Sequence, residues 1–299
     1  MSLYEILGTL ETGFIFGLVA LGAYLTFRVL DFPDLTVEGS FPLGAAVAAT
    51  LMVGAGWNPW LATLASGLAG FAAGFLTALL NVRFKILHIL AGILVAISLY
   101  SINLRIMGGP NKPMLMVDTI YSSFEWIGLP GYIVNPIFLG LLVLLFKLAL
   151  DAFLSTGWGL SMRAAGANPA MASANGVNVG TMKLFGVGFA NALTAFSGAL
   201  FAQIFGAADA YMGIGVIIVG LASVIVGMSV LPSRTIFLAT LACIVGAVLY
   251  RFAVALALNA DFLGAQASDV QLVTALLVAL ALIAQQSGLM RKVLRKRGS

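Results

Sequence analysis

The sequence predicts an all-α polytopic membrane protein, a single transmembrane domain over residues 1–299 with about nine spans, the N-terminus outside and the C-terminus inside. Three observations carry this prediction. The chain is 61% hydrophobic and 9% charged, against about 25% charged residues in an ordinary soluble domain. Uncharged runs of about 18 residues or more, the length that crosses a bilayer, recur from one end of the chain to the other and leave no room for a separate catalytic domain. Basic residues fall in alternate connections, as the positive-inside rule requires.

In chain order, the start MSLYEILGTLE is acidic rather than basic, so the first span, about residues 6–28, is expected to stay in the mature protein. DFPDLTVEGS, residues 31–40, then interrupts the apolar pattern. Spans two to four follow at about 41–56, 59–82 and 86–107. The GPNKP opening and the aromatic residues Tyr121, Phe124 and Trp126 make 108–131 the longest outer connection, with an interfacial segment that either caps the spans or meets an external partner. A fifth span at about 132–154 carries Lys147 and Asp151, four residues apart and placed to pair. After a polar stretch at 161–176, the remaining spans are expected at about 180–204, 212–231, 235–258 and 268–287. Arg28, Arg83, Lys85, Arg163, Lys183 and Arg234 then lie in or beside inner connections. The outer connections hold Asp118, Glu125, Asp209, Asp261 and Asp269 against Lys112, with Arg105 near that edge. The basic tail of Arg291, Lys292, Arg295, Lys296 and Arg297 follows a span directly. It reads as an anchor on anionic membrane lipid, not as a nucleic-acid site.

The polar stretch SMRAAGANPAMASANG contains a helix with both ends marked. Asn168 fits the N-cap, Pro169 the first helical position and Gly176 the position past the end, so residues 169–175 form a helix about 10 Å long. It is too short and too polar to cross a membrane, and Arg163 and Lys183 place it on the cytoplasmic side. It reads as a plug for a socket on a partner, with Met171 as the bulky apolar anchor among small residues such as Ala172; an ordinary loop helix is the alternative.

No constellation of an enzyme is present. His88 is the single histidine and reads as a headgroup-level residue, Cys243 is the single cysteine and excludes internal disulfides, and HExxH, GxSxG and the phosphate-binding GxxxxGK[ST] are absent. No cofactor is expected in the chain, and any ATP must be bound by a partner. The costly polar residues cluster at two interruptions: Asp34, Glu38 and Ser40 in the first, and Asp209, Gly213 and Gly215 in FGAADAYMGIG, residues 205–215. Entering from opposite sides, they are the trace expected of an inverted repeat whose broken helices build a midplane solute site; ordinary turns are the alternative. Asn191, Thr194 and Ser197 recur at three-residue steps, and Ser98, Ser101 and Asn103 sit in the fourth span. These groups either line a pathway or bond across helices. Arg251 is expected to snorkel or to meet a carboxylate. The 34 glycines, including Gly70 with Gly74 and the seven-residue recurrence of Gly213, Gly220 and Gly227 along one face, fit close helix packing.

GANPAMASANGVNV resembles the G-x-N-x-x-A-A-x-x-x-G-I-x-V segment of permeases in ABC importers for branched-chain amino acids and ribose-type sugars. In that family the segment docks on the ATPase, which implies a coupling role for Arg163, Gly166, Asn168, Pro169, Met171, Ala172 and Gly176. DLTVEGS resembles the D-L-S-V-G-S element of the sugar branch, with Glu38 inserted before the glycine as a departure. LAGILVAISLYSINLRIMGGPN and SDVQLVTALLV are similar to a subgroup linked to tryptophan and tyrosine uptake. The resemblance implies a permease subunit paired with a second copy as a homodimer, cytoplasmic ATP-binding subunits that hold ATP and Mg, and an external solute-binding protein. The cargo would be a small solute, an aromatic amino acid first, moved inward by alternating access. The competing readings are a secondary transporter driven by an ion gradient, for which Asp34, Glu38 and Asp209 are the ionisable candidates, and a structural scaffold or channel.

Overall fold

The computed structural model describes residues 2–115, 117–127, 130–231 and 235–258, together with 276 and 279. Helix α1 (Leu3–Ala23) begins with a reciprocal cap in which Ser2 and Glu5 satisfy each other's amides. It runs on through a π-helical turn, Tyr24–Val29. A non-helical connector, with Asp31 at φ +50°, then leads to α2 (Val37–Ala55). Asn58 caps α3 (Pro59–Phe84), with Pro59 in the first turn where its missing amide costs nothing. Helix α4 (His88–Met107) leads to strand β1 (Asn111–Pro113) and a 3₁₀ turn, Ser122–Ile127. Then come α5 (Gly131–Ser155), α6 (Gly157–Ala167), α7 (Pro169–Ala174), α8 (Val179–Phe205), β2 (Ala207–Asp209), α9 (Val216–Val230) and α10 (Ile236–Leu258).

Among the described residues, seven helices are long and apolar enough to cross a membrane: α1 with its π-helical extension, α2, α3, α4, α5, α8 and α10. The seventh predicted span, 212–231, is instead the 15-residue α9. At about 1.5 Å per residue it falls short of the roughly 30 Å of hydrocarbon. It starts late because Gly215 sits at φ +80°, outside helical space, and serves as its N-cap. The predicted ninth span apart from residues 276 and 279, Arg234, Asp261, Asp269, the basic tail, and the side chains of Glu125 and Trp126 lie outside the described residues.

Helix α8 lies at the centre, with α2 and α3 against it. The contacts are made backbone to backbone: Gly70 and Gly74 of α3 face Asn191, Ala195 and Val187, and Gly44 of α2 meets Ala195 with no room for a β-carbon. The seven-residue glycine recurrence does not form one face. Gly213 meets Glu38 and Pro42, Gly220 meets α1 at Val19 and Ala23, and Gly227 meets Ala242 of α10.

The two ends of the bundle differ. At one end β1 pairs antiparallel with β2, Asn111 opposite Asp209. At the other, α6 packs Gly166 onto the carbonyl of Val29, Gly180 meets Val82, and Lys183 lies 5.9 Å from the Phe32 ring, which also faces His88 at 5.1 Å. Arg28, Arg83, Lys85, Arg163 and Lys183 thus gather at the α7 end. Lys112 and Asp209 lie in the paired strands at the opposite end.

Candidate functional site

The site starts from the way α2 begins. The non-helical connector after Val29 carries Asp34 to Asn191, midway along α8, and there it is fastened. Asn191 Nδ2 donates to Asp34 Oδ2 at 2.6 Å, the Thr36 amide donates to Asp34 Oδ1 at 2.9 Å, and Ser40 Oγ donates to Asn191 Oδ1 at 2.7 Å. The hydroxyls of Thr36 and Thr77 meet at 2.7 Å and tie the same segment to α3. Asp34, Thr36, Ser40 and Asn191 are all fully buried. The knot satisfies both carboxylate oxygens, where a bare carboxylate at this depth would cost about 2.5–3.5 kcal/mol on insertion scales.

Glu38, in the first turn of α2, is half-buried, and its Oε1 accepts the Gly215 amide at 3.2 Å. Gly215 is the N-cap of α9, so the carboxylate sits at the positive end of that helix. Pro42 has no amide to offer the Glu38 carbonyl, and the backbone of Gly213 closes on that same carbonyl. The two interruptions found in the sequence therefore meet at one point, and α2 and α9 start there and run apart. The middle of α2, at Ala45, Ala46 and Ala49, packs with Met107, Met114 and Ala208 beside the β1–β2 ladder. Helix α9 ends beside the start of α10, which lies antiparallel to α1 and so begins at the α7 end.

Other predicted site residues are placed differently. Asp209 is in the β-ladder, and its Oδ1 accepts the Tyr211 amide at 2.7 Å, capping its own turn. The Tyr211 hydroxyl is 2.8 Å from that of Tyr100, with the rings 5.6 Å apart. Thr194 returns its hydroxyl to the Ala190 carbonyl at 3.1 Å, Ser197 bonds the Ile15 carbonyl at 2.7 Å, and Asn103 bonds the Gly39 carbonyl at 3.3 Å. These groups are buried, and Ser197 and Asn103 bond across helices. Gln203, which the sequence reading passed over, bridges Thr63 at 2.8 Å and the Ile120 amide at 2.9 Å. A lone amide in an apolar span was its only signal.

At the α7 end, Asn168 Oδ1 accepts the Met171 amide at 3.0 Å, and Gly176 has φ +84°, so the helix is capped at both ends. Met171 is 65% exposed but Ala172 only 4%. Ala172 turns in beside the exposed Met171, and its carbonyl accepts the Val177 amide at 3.0 Å. Gly166 is likewise a packing contact onto Val29, while Arg163, Arg28 and Asp31 line a polar cavity beside it. Lys147 and Asp151 pair at 2.6 Å, with Thr240 donating to Asp151 at 2.6 Å, which joins α5 to α10. Arg251, expected to snorkel or meet a carboxylate, is held 3.9 Å from the Phe16 ring.

A bundle of membrane-length apolar helices, with two helix starts meeting at a half-buried carboxylate and a capped surface helix, is that of a polytopic membrane protein. The family model described as "Branched-chain amino acid transport system / permease component" matches residues 5–284, and the chain belongs to that family. It is 38% identical over 274 residues to a tyrosine transport system permease protein of Clostridioides difficile (strain R20291), covering 91% of this chain and 88% of that one. It is 34% identical over 225 residues, 74% of this chain and 76% of the other, to an uncharacterized protein of Rickettsia prowazekii (strain Madrid E). It is also 28% identical over 202 residues to a probable branched-chain amino acid transport permease, LivH, of Methanocaldococcus jannaschii, covering 61% of each. No solved structure matches. The protein is thus a membrane-embedded permease component of an amino-acid transport system.

Proposed function

We propose that this permease imports an aromatic amino acid, with ATP and Mg bound by a cytoplasmic ATPase partner and solute delivered by an external binding protein. Two copies of the chain act together, α7 and the basic end face the cytoplasm, and the β1–β2 ladder faces outward. The relative from C. difficile, named for tyrosine, supports the cargo class. The gathering of basic residues at the α7 end supports the orientation. The opposed starts of α2 and α9 support an inverted-repeat design with the solute passing where they meet.

The carrying observation is the direct line from α7 to that meeting point. Helix α6 seats Gly166 on Val29, the last residue of the π-helical turn. A non-helical connector, residues 30–36, then leads from Val29 to the first turn of α2 and Glu38. A load applied to exposed α7 by a closing ATPase pair would reach the break along this line. Such coupling requires α7 to make different contacts in the two states.

The test is uptake of labelled tyrosine by proteoliposomes holding the permease, its ATPase and its binding protein. Uptake is expected only with ATP on the α7 side. Uptake driven by a proton or sodium gradient without the ATPase would establish the secondary-transport alternative.

A further inference from the structure

Two backbone irregularities, the π-helical turn Tyr24–Val29 and Asp31 at φ +50°, line one cavity of about 380 Å3 between the end of α1 and α6. Tyr24, Phe27 and Arg28 face it from the turn, Asp31 from the connector, and Arg163 and Ala167 from α6. A π-turn and a non-glycine residue at positive φ are both costly, and such features collect at functional sites. The volume falls within the roughly 300–1,000 Å3 of small-ligand sites. Its lining also differs from that of the grooves between the spans. The groove at Leu68, Phe71 and Phe189 and the one at Phe14, Leu144 and Leu249 are lined without a charged side chain and suit acyl chains. This cavity holds two guanidiniums and one carboxylate, all three exposed, and among the described residues no ion pair joins Asp31 to either arginine.

We infer that the cavity is a lipid site, in which Arg28 and Arg163 hold the headgroup phosphate of an anionic phospholipid from the adjoining leaflet. A guanidinium fork pairs with phosphate oxygens two at a time, so two forks clamp one phosphodiester. Two guanidiniums against one carboxylate leave a single positive charge, which a phosphodiester of one negative charge neutralises. Asp31 then accepts from headgroup hydroxyls. Phosphatidylglycerol has both the charge and the hydroxyls. Position favours a lipid over an acidic side chain of a partner. Arg28 is in the last turn of a membrane-length helix and so at headgroup level, with the aromatic rings of Tyr24 and Phe27 beside it, as at membrane interfaces. The side chain most open to a partner, Met171, is on α7, past the end of α6. A lipid seated here would clamp α6 to α1 beside the contact of Gly166 with Val29. The inference goes beyond the proposed function and takes from it only which leaflet supplies the lipid.

The experiment measures lipid retained by the purified full-length permease with its ATPase, by native mass spectrometry in one detergent. The probes are dioleoyl phosphatidylglycerol and dioleoyl phosphatidylcholine in equal amounts, and the first should be retained in preference. Arg28→Gln and Arg163→Gln should each lower its retention about tenfold, and Arg28→Lys should recover part of it. Ala167→Trp, which fills the cavity without changing charge, should lower it as well. Arg83→Gln, at the same end of the bundle but outside the cavity, should not. Retention that Arg28→Gln leaves intact, or that Arg83→Gln lowers equally, reduces the effect to general surface charge and overturns the inference. Inorganic phosphate that binds the lipid-free complex with the same Arg28 dependence would make this a free-phosphate site and overturn the lipid assignment. Loss of the ATPase from both arginine variants with lipid retention intact would give the arginines to the partner instead. Elution as a single monodisperse peak shows which variants fold. Tyrosine uptake is not read, so a wrong cargo leaves this result standing.

Discussion

Between Asp34 and Glu38 the chain changes from non-helical to helical, and that change sends their carboxylates in different directions. Both stood out in the sequence as costly residues at one interruption. Nothing in the spacing told them apart, because the separation depends on where α2 begins and on Asn191, more than 150 residues away. In the structure Asp34 belongs to the knot on α8, and Glu38 faces the start of α9. The polar stripe of Asn191, Thr194 and Ser197 was legible as a stripe. Its role was not, since the partners of Asn191 and Ser197 are on other segments. The knot makes a graded prediction. Asn191→Ala removes the donor to Asp34 Oδ2 and leaves a buried carboxylate oxygen bare, which should cost about 1–3 kcal/mol. Ser40→Ala removes a donor to a neutral amide oxygen that can be spared more cheaply, about 1 kcal/mol. Thermal unfolding of the purified variants in one detergent checks the order. Equal midpoints for the two would mean that Asp34 finds another partner.

Elements were legible where the chain punctuates them. Asn168 with Pro169, and Gly176, mark ends that the structure keeps, because capping chemistry is local. The π-helical turn of Tyr24–Val29 and the three-residue ladder between Asn111–Pro113 and Ala207–Asp209 were not legible. The first has no sequence period of its own, and the second is too short to alternate. The face of α7 was also hidden, since a helix of six residues gives no periodicity to read. That face now decides how coupling is tested. Met171→Asp changes the exposed side chain and leaves the cap at Asn168 in place. It should preserve the folded permease while detaching the ATPase or removing solute-stimulated hydrolysis. Ala172→Glu buries a charge against the chain itself and should damage α7 directly, seen as faster proteolysis at residues 168–176. Full stimulated hydrolysis in Met171→Asp would remove α7 from the coupling path.

At the scale of the whole molecule, hydropathy located the long spans but could not distinguish a full crossing from a helix that starts partway. Helix α9 is apolar throughout, and only the pair Gly213 and Gly215 against Glu38 shows where it begins. Charge is the better guide to how the bundle sits. Arg28, Arg83, Lys85, Arg163 and Lys183 come from four separate parts of the sequence, yet the fold collects them at the end that carries α7. The β1–β2 ladder occupies the other end, with Asp209 in it. A bundle with that asymmetry should insert with the basic end inside, since moving those residues across the membrane is disfavoured. Ser173→Cys in α7 and Asn111→Cys in β1 report on the two ends, because both positions are exposed and neither lies in a long helix. In intact cells a membrane-impermeant maleimide should label Asn111→Cys at once and Ser173→Cys only after the membrane is opened. The buried Cys243 should stay silent in both. The same two positions also test the repeat: if α2 and α9 run to opposite faces, both reporters must lie on opposite sides of the point where Glu38 meets Gly215. Labelling of Ser173→Cys from outside would invert the bundle, and the exposed face of α7 would then have no ATPase to meet.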